Sequence, residues 1–299
     1  MEKSMKIGII GGGAVGLLTA SYLYQNKHDV TLFTRTEDQA NQINSLGVIL
    51  LVDDKKKQMC ITANKLLPKI STFDLLVVCV KQYHLNQIVN TLDQYEGENI
   101  LFLQNGMSHI EIVKNLSIPN CLIGIVEHGA LKTSLNEVTH TGKGMIRFGQ
   151  LKGNIDALKR LSSLHTAEFP FKCQDDWEYI LKQKCLINCV INPLTSIFNV
   201  RNGEIITNEY FKPICKLLFN EVATVLELNR QNEWDKLVEI CEKTSENYSS
   251  MNRDLFHGRQ TEIESMLGFV KKLAIDKKIN VPTIELVYNS IKGLEKKKG

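Results

Sequence analysis

Short runs of apolar residues, bounded by glycine or polar residues, recur through the first half of the chain. The clearest of them span residues 7–10, 73–80, 99–103 and 121–126. Continuous apolar runs of this kind are typical of parallel strands that are covered on both faces of a sheet. Stretches with helical periodicity separate them. This alternation predicts an N-terminal doubly wound α/β domain of Rossmann type.

The pattern changes in the second half of the chain. From about Trp177 onward the strand-like runs disappear and helical periodicity takes over, with a helix predicted over 177–198 and Asp176 as its N-cap. Pro170 and the polar stretch 174–176 suit a boundary between domains. We therefore predict a nucleotide-binding domain over residues 1–173 and an all-α domain over 174–299. A chain of 299 residues is long enough for two such cores.

Two hairpins are also predicted within the first domain. In the first, the apolar run 47–52 is followed by a charged turn at 53–57 and a second run over 58–62. In the second, residues 137–141 and 145–149 flank Gly142 and Gly144. We interpret this glycine pair as a turn, with an anion-binding loop as the alternative.

Composition narrows the class of protein. The apolar fraction is 43%, the charged fraction 23% and the formal net charge +3, so neither a nucleic acid nor another polyanion is expected as a partner. No apolar run is long enough to span a membrane, and no secretory signal precedes the first strand. The eight cysteines show neither a CxxC motif nor a spacing suited to zinc. We expect a cytoplasmic protein with reduced cysteines and no metal site.

The glycine-rich turn after the first strand carries the first functional signal. Residues Gly11, Gly13 and Gly16 fill the pattern G-x-G-x-x-G between a predicted strand and a predicted helix over 17–25. In this context the first glycine permits a tight turn, the second lets a diphosphate approach the backbone, and the third lets the helix pack on the strand. The free N–H groups of the helix then face the anion. The loop predicts a dinucleotide site formed by Gly11, Gly12, Gly13, Ala14, Val15 and Gly16.

The end of the second strand indicates which dinucleotide binds. A site for NAD usually places an acidic residue there to hold the ribose 2′-hydroxyl, whereas this chain has Arg35. A guanidinium can pair with a 2′-phosphate through two hydrogen bonds. The nearby Glu37 and Asp38 fit the first turn of a helix capped by Thr36. We therefore predict NADPH as the cofactor, although Arg35 could also be an ordinary surface residue.

Polar residues follow several of the predicted strands directly. Lys81, Asn105, Glu127 and His128 all stand at carboxyl ends of strands, where ligands bind in sheets of this kind. Each of them alone could be a satisfied loop residue. Lys81 and Asn105 are the stronger candidates because both follow buried strands closely.

A row of polar residues stands out in the helical half. Lys184, Asn188 and Asn192 are spaced four apart, so they share one face of the predicted helix. Their neighbours are apolar, which favours a buried and partnered row over a solvent-facing stripe. Pro193 is expected to bend the helix just after Asn192. A later polar group lies at 246–251 and 259–264, and its composition alone would indicate only surface helix and loop.

Taken together, these stretches resemble the ketopantoate reductase (2-dehydropantoate 2-reductase) family from the first strand to about Gly268. The matching motifs are the glycine loop, Val80-Lys81, Gln104–Met107, the stretch Lys184–Thr195 containing Asn-Pro-Leu-Thr, Glu246–Met251, and Arg259–Ile263. The pattern of Lys184, Asn188 and Asn192 followed by Pro-Leu-Thr is far more specific than the glycine loop. The resemblance implies a helical domain like that of 6-phosphogluconate dehydrogenases. It also implies NADPH-dependent reduction of 2-dehydropantoate to (R)-pantoate, a step toward pantothenate and coenzyme A.

The same resemblance implies a role for individual residues. Lys184 would be the general acid and Glu262 would support both the substrate and the lysine. Lys81 and Arg35 would serve the cofactor, and Asn105 and Glu262 would also contact it. The residues implied to hold the substrate are Asn105, Asn188, Asn192, Asn247 and Ser250.

One position departs from the family. His84 stands where members often have glutamine, so the local cofactor contacts there are in doubt. Two other functions stay open: a reductase of the same fold acting on another small 2-keto acid, and a non-catalytic NADPH-binding regulator. The substrate is expected in a cleft between the domains, with hinge closure as a hypothesis. Helical faces in the second domain are compatible with a homodimer.

Overall fold

The protein is described from a computed structural model that covers residues 4–66, 69–154, 159 and 161–297. The chain divides into two compact units, and we describe each by itself. The first comprises residues 1–104 and 109–178, and the second comprises residues 105–108 and 179–299. The four residues after Gln104 therefore belong to the second unit, although they follow a strand of the first.

An eight-stranded sheet forms the frame of the first unit. Its strands are β1 (Lys6–Ile10), β2 (Asp29–Thr34), β5 (Thr62–Lys65), β6 (Leu75–Val78), β7 (Asn99–Phe102), β8 (Asn120–Val126), β11 (Ile146–Lys152) and β12 (Phe171–Cys173). They lie in the order β12-β11-β8-β7-β6-β1-β2-β5, and every pair is parallel except β8 with β11. Its helices include α1 (Ala14–Gln25), α2 (Glu37–Leu46), α3 (Gln82–Asp93) and α4 (His109–Asn115). The predicted α/β fold is confirmed.

A second, four-stranded sheet lies in the same unit. It consists of β3 (Val48–Val52), β4 (Lys55–Met59), β9 (Gly129–Lys132) and β10 (Glu137–Gly142), in the order β4-β3-β10-β9. Helix α1 contacts strands of both sheets. Its side chains from Leu17 to Leu23 are consequently buried. A helix covered on two sides needs an apolar surface nearly all round, which is why α1 lacks the usual polar face.

Only one of the two predicted hairpins forms. Strands β3 and β4 pair antiparallel, as expected. The predicted pairing of 137–141 with 145–149 is wrong, because β10 pairs with β3 and β9 whereas β11 pairs with β8 and β12. The chain leaves one sheet for the other across Gly142–Gly144. A Cβ atom on Gly144 would lie 2.4 Å from the carbonyl oxygen of Glu127, so this crossing needs a residue without a side chain.

The second unit is helical. Its elements are α5 (Trp177–Phe198, whose first two residues belong to the first unit), α6 (Glu204–Thr207), α7 (Phe211–Leu226), α8 (Arg230–Lys243), α9 (Ser250–Phe256), a 3₁₀ turn (Ile263–Ser265), α10 (Leu267–Asp276) and α11 (Pro282–Lys297). The bounds of α5 are those predicted. The helix continues through Pro193. In the turn around it, Thr195 Oγ1 donates to the carbonyl of Ile191 at 2.8 Å and Ser196 Oγ to that of Asn192 at 2.7 Å.

Neither a membrane-spanning helix nor a metal-binding cluster occurs in the described part of the chain. None of its helices has the length and apolar character needed to cross a membrane. Within the same residues, no group of three or more His, Cys, Asp or Glu side chains is arranged to hold a metal ion.

Buried histidines are a notable feature of the first unit. Tyr22 donates from its hydroxyl to Nδ1 of His140 at 2.7 Å, and Nε2 of His140 lies 3.0 Å from Nδ1 of His128. The N–H of Gly144 also donates to that Nδ1, so His128 accepts there and His140 Nε2 carries the proton. His109 is fully buried, and neither of its ring nitrogens has a hydrogen-bond partner among the described residues. Burial lowers the pKa of His109 to about 4. Burial, together with the nearby His140, lowers the pKa of His128 to about 4 as well.

These histidines predict a loss of stability in mild acid. The unfolded chain takes up a proton near pH 6.5 and the folded chain only near pH 4, so the free energy of unfolding falls as the pH drops through that interval. Each buried histidine should contribute a loss of about 2 kcal/mol between pH 7 and pH 5. Urea titrations of the protein and of His109→Leu at the two pH values test this. The variant should lose about 2 kcal/mol less, and an identical pH dependence in both would contradict the assignment.

Candidate active site

The turn after β1 has the geometry of a dinucleotide loop. Gly16 packs so closely on the turn that a Cβ atom would lie 1.8 Å from the carbonyl oxygen of Gly11. Gly13, the N-cap of α1, behaves differently: its Cβ would meet no atom within 4 Å. The protein itself therefore does not require a glycine at position 13. The open space there fits a ligand whose diphosphate approaches the backbone at the positive end of α1.

Two side chains that sequence reasoning missed hold this loop. Gln39 Nε2 donates to the carbonyl of Gly12 at 2.7 Å and to that of Leu135 at 2.7 Å. Lys132 Nζ donates to the same Gly12 carbonyl at 2.9 Å. With its carbonyl engaged by two donors, the Gly12 peptide is held in one orientation. Lys132 comes from β9 of the smaller sheet, and no local pattern in the sequence indicates that this strand lies against the loop.

Positive charge gathers beside the loop. Arg35 directly follows β2, is exposed, and forms no ion pair with any carboxylate among the residues described. Its guanidinium donates to Nε2 of His84 at 3.1 Å. Burial and the charge of Arg35 lower the pKa of Lys132, so the two positive charges repel each other. Thr36 caps α2 through a hydrogen bond from the N–H of Gln39, as predicted. Arg35 and Lys132, which form no ion pair with a carboxylate within the described part of the chain, suit a phosphate group.

Lys81 is the N-cap of α3 and follows the end of β6 after two intervening residues. It is half-buried and within electrostatic range of His84. The other two strand-end candidates are engaged in the first unit. Glu127 pairs with Arg147 at 3.3 Å, and His128 belongs to the buried network with Tyr22 and His140.

Asn105 and Glu262 meet in the second unit. Asn105 Nδ2 donates to Oε2 of Glu262 at 3.4 Å, and Glu262 is 7% exposed. The backbone beside Asn105 approaches the 3₁₀ turn closely, because Met107 N–H donates to the carbonyl of Ser265 at 3.3 Å. Gly106 has φ +77°, and a Cβ there would lie 2.1 Å from that carbonyl oxygen. Only glycine fits at this position.

The 3₁₀ turn is also held from its other side. Glu295 of α11 accepts from the backbone N–H of Thr261 at 2.9 Å and from its hydroxyl at 2.7 Å. Lys292 pairs with Glu295 at 3.0 Å. Thr261 Oγ1 in turn accepts from the N–H of Ile263 at 3.2 Å. Glu262 is therefore flanked by fixed residues before any ligand arrives. Thr261 was part of the motif that the resemblance quoted, whereas Glu295 carried no signal in the sequence.

The polar row of α5 runs from half-buried to buried. Lys184 and Asn188 are half-buried, and Asn192 is 7% exposed. Asn192 Nδ2 contacts Sδ of Met266 at 3.9 Å, which ties the end of the row to the residue after the 3₁₀ turn. The hydroxyl oxygens of Thr195 and Ser249 lie 2.8 Å apart. The row is thus neither a solvent-facing stripe nor wholly enclosed.

The residues before α9 are placed unevenly. Ser249 is buried and caps α9 by accepting from the N–H of Asn252 at 3.1 Å. Asn247 and Ser250 are exposed, and the carbonyl of Asn247 accepts from the N–H of Asn202 at 2.9 Å. Sequence reasoning missed Ser249 and Asn252, although a serine directly before the start of a helix is a capping signal that could have found Ser249.

The fold and these two groups of residues define a dinucleotide-binding oxidoreductase with a helical second unit. Family comparison gives the particular class. Residues 7–153 match the family described as ketopantoate reductase PanE/ApbA, and residues 176–295 match its C-terminal part. The chain belongs to the ketopantoate reductase family.

Individual relatives agree with this assignment. The chain is 40% identical to the 2-dehydropantoate 2-reductase of Bacillus subtilis (strain 168), over 98% of each protein. A crystal structure of the probable 2-dehydropantoate 2-reductase from Bacillus subtilis has a TM-score of 0.86, with 97% of this chain and 99% of that one covered at 40% identity. A ternary complex of D-mandelate dehydrogenase has the same fold, with a TM-score of 0.89 at 21% identity and coverage of 98% and 99%.

The open space at Gly13 generates a prediction. Gly13→Ala should leave the free energy of unfolding nearly unchanged, because its Cβ meets no protein atom and φ −82° suits alanine. The affinity for a nicotinamide dinucleotide should fall by roughly tenfold or more, since the methyl group occupies the space that the diphosphate needs. Calorimetric titration and urea unfolding measure the two quantities. Gly293→Ala is the matched control, because its Cβ also meets nothing within 4 Å, and it should bind normally. Unchanged affinity in Gly13→Ala would contradict the assignment of the loop.

Proposed function

We propose that the protein catalyses the reduction of 2-dehydropantoate to (R)-pantoate with NADPH, a step of pantothenate and coenzyme A biosynthesis. The observation that carries the proposal is the placement of chemically matched groups within one unit. An ammonium group and two amides share a face of α5, and Asn105 meets a buried carboxylate at the 3₁₀ turn. Membership of the ketopantoate reductase family, and a relative with that activity 40% identical over 98% of its length, support the same substrate.

We assign cofactor binding and substrate chemistry to the two domains predicted from the sequence. Residues 1–173 hold the cofactor and residues 174–299 carry the substrate chemistry, with Asn105 as the exception. The same proposal includes a cytoplasmic location and a homodimer, both of which stay predictions.

Each residue in the second unit has a distinct part in the chemistry. The nicotinamide supplies the hydride when it is bound. Lys184 stabilises the negative charge that develops on the ketone oxygen and delivers the proton to it. Glu262 favours the charged form of the lysine. The substrate's carboxylate and hydroxyl groups are bound by amides and one hydroxyl, supplied by Asn105, Asn188, Asn192, Asn247 and Ser250.

The choice of NADPH rests on the cations beside the glycine loop. We propose that the glycine loop, residues 11–16, binds the diphosphate and that Arg35 binds the 2′-phosphate, with Lys81 beside it. Asn105 and Glu262 would contact the nicotinamide half. Lys132 adds positive charge to the same region, although its Nζ is engaged by the carbonyl of Gly12.

Lys184→Ala tests the proton source. Turnover with NADPH and 2-dehydropantoate, followed by absorbance, should fall by roughly 10²-fold or more, because the variant lacks the group that we propose as the proton donor. Lys182→Ala is the control on the same helix. The hydrogen bond and charge of Lys277 lower the pKa of Glu227, and the charge of Lys182 adds to this effect, so Lys182 acts on a different carboxylate and its removal should leave turnover near normal. Near-normal turnover in Lys184→Ala would remove the lysine from the mechanism. Assays on other small 2-keto acids with the unmodified protein would separate ketopantoate reduction from a related activity.

Arg35→Ala tests the cofactor preference. The KM for NADPH should rise by roughly tenfold or more while the KM for NADH changes little, because only NADPH carries the phosphate that the guanidinium binds. Steady-state kinetics with each cofactor measures the ratio, and NADH serves as the internal control. A ratio equal to that of the unmodified protein would show that Arg35 does not recognise the phosphate.

A further inference from the structure

His84 makes a hydrogen bond that determines its own protonation state. It lies in the first turn of α3, with Nε2 at 3.1 Å from a guanidinium nitrogen of Arg35 and Nδ1 at 3.0 Å from Oε1 of Gln87. A guanidinium has only donors, so Nε2 of His84 must accept and cannot carry a proton. Nδ1 then carries the proton and donates it to Gln87. The arrangement requires the neutral imidazole.

The surroundings of His84 favour that neutral form. Burial lowers the pKa of His84, the hydrogen bond to Gln87 opposes this shift, and the charges of Arg35 and Lys81 lower the pKa further. The ring of Tyr83 packs edge-on at a centroid distance of 4.5 Å. The charges that lower the pKa of this imidazole are those of Arg35 and Lys81, so a proton on the ring would be repelled by both cations.

Arg35 depends on this contact for its position. It is exposed, and the only hydrogen-bond acceptor recorded for its guanidinium within the described chain is His84. A long exposed side chain loses rotamer freedom when it binds a ligand, and a partner that holds it beforehand removes part of that cost. His84 itself is supported by Gln87 one turn along α3, a more rigid base than the end of β2.

We propose that neutral His84 is a positioning residue that holds the Arg35 guanidinium ready for the 2′-phosphate of NADPH, and that protonation of His84 releases it. The inference rests on the proposed function, specifically on Arg35 as the ligand of that phosphate. Protonation of His84 would make the preference for NADPH over NADH depend more strongly on pH than titration of the 2′-phosphate alone would. His84 acts through Arg35 and does not touch the reacting atoms.

Two substitutions separate positioning from other roles. His84→Gln keeps an acceptor for Arg35, through Oε1, but cannot titrate. His84→Leu removes the acceptor. Calorimetric titration of each protein with NADP⁺ and with NAD⁺ gives the selectivity as a ratio of Kd values, without reliance on turnover. At about pH 8, His84→Leu should lose selectivity roughly three- to tenfold, and His84→Gln should keep it.

Acidification supplies the second readout. Between about pH 8 and pH 5.5 the 2′-phosphate itself gains a proton, which weakens NADP⁺ binding in every variant alike. The unmodified protein should lose more selectivity over this interval than His84→Gln, because only the histidine also becomes charged. Thermal unfolding of each variant checks that the fold is intact.

Other outcomes overturn the inference. Full selectivity in His84→Leu at about pH 8 would show that Arg35 needs no such support. A gain in NADP⁺ affinity by the unmodified protein on acidification, relative to His84→Gln, would make His84 a direct phosphate ligand. If Arg35→Ala loses selectivity and His84→Leu does not, this inference alone fails. If Arg35→Ala keeps its selectivity, both the proposed role of Arg35 in cofactor preference and this inference are wrong.

Discussion

The group of residues that we propose to bind the substrate depends on one close approach between backbones. Gly106 lies against the carbonyl of Ser265, where no side chain fits, and the next residue donates to the same carbonyl. This approach brings Asn105 to Glu262, two residues that are 157 apart in the chain. A buried carboxylate is costly without partners, so the contact also makes the position of Glu262 tolerable. Polar groups from separate stretches are thus ordered before any ligand binds, which lowers the entropy lost on binding.

The glycine loop of the first unit depends on a comparable constraint. Gly16 packs against the carbonyl of Gly11, and the carbonyl of Gly12 is held by Gln39 and Lys132. Contacts within the protein therefore account for the geometry of the loop at these positions, and the space at Gly13 is left for a ligand. The glycine loop and the backbone around Gly106 share one feature. Each turns a backbone segment that could adopt many conformations into a fixed binding surface by placing glycine where another chain segment comes close.

Local patterns in the sequence predicted many of the elements and the β3–β4 hairpin, but not every pairing of strands. The bounds of α5 and the strand, turn and helix of the glycine loop follow from periodicity and spacing over adjacent residues. The pairing of β10 and β11 does not, because both alternate in the same way and only long-range packing assigns them to different sheets. Lys132 and Glu295 were missed for the same reason: each is a charged surface residue by pattern, and its meaning comes from a segment far away in the chain. Asn247 and Glu262 entered the analysis only through family resemblance.

The central claim is that the ammonium group of Lys184 protonates the ketone oxygen. A crystal structure of the protein with NADP⁺ and pantoate bound tests it most directly. The account predicts Nζ of Lys184 about 3 Å from the C2 oxygen of pantoate, with Glu262 and the amides of Asn188 and Asn192 around the same ligand. Pantoate bound elsewhere, or an ammonium group directed away from that oxygen, would contradict the mechanism and leave the protein as a nucleotide-binding member of its family with another proton source.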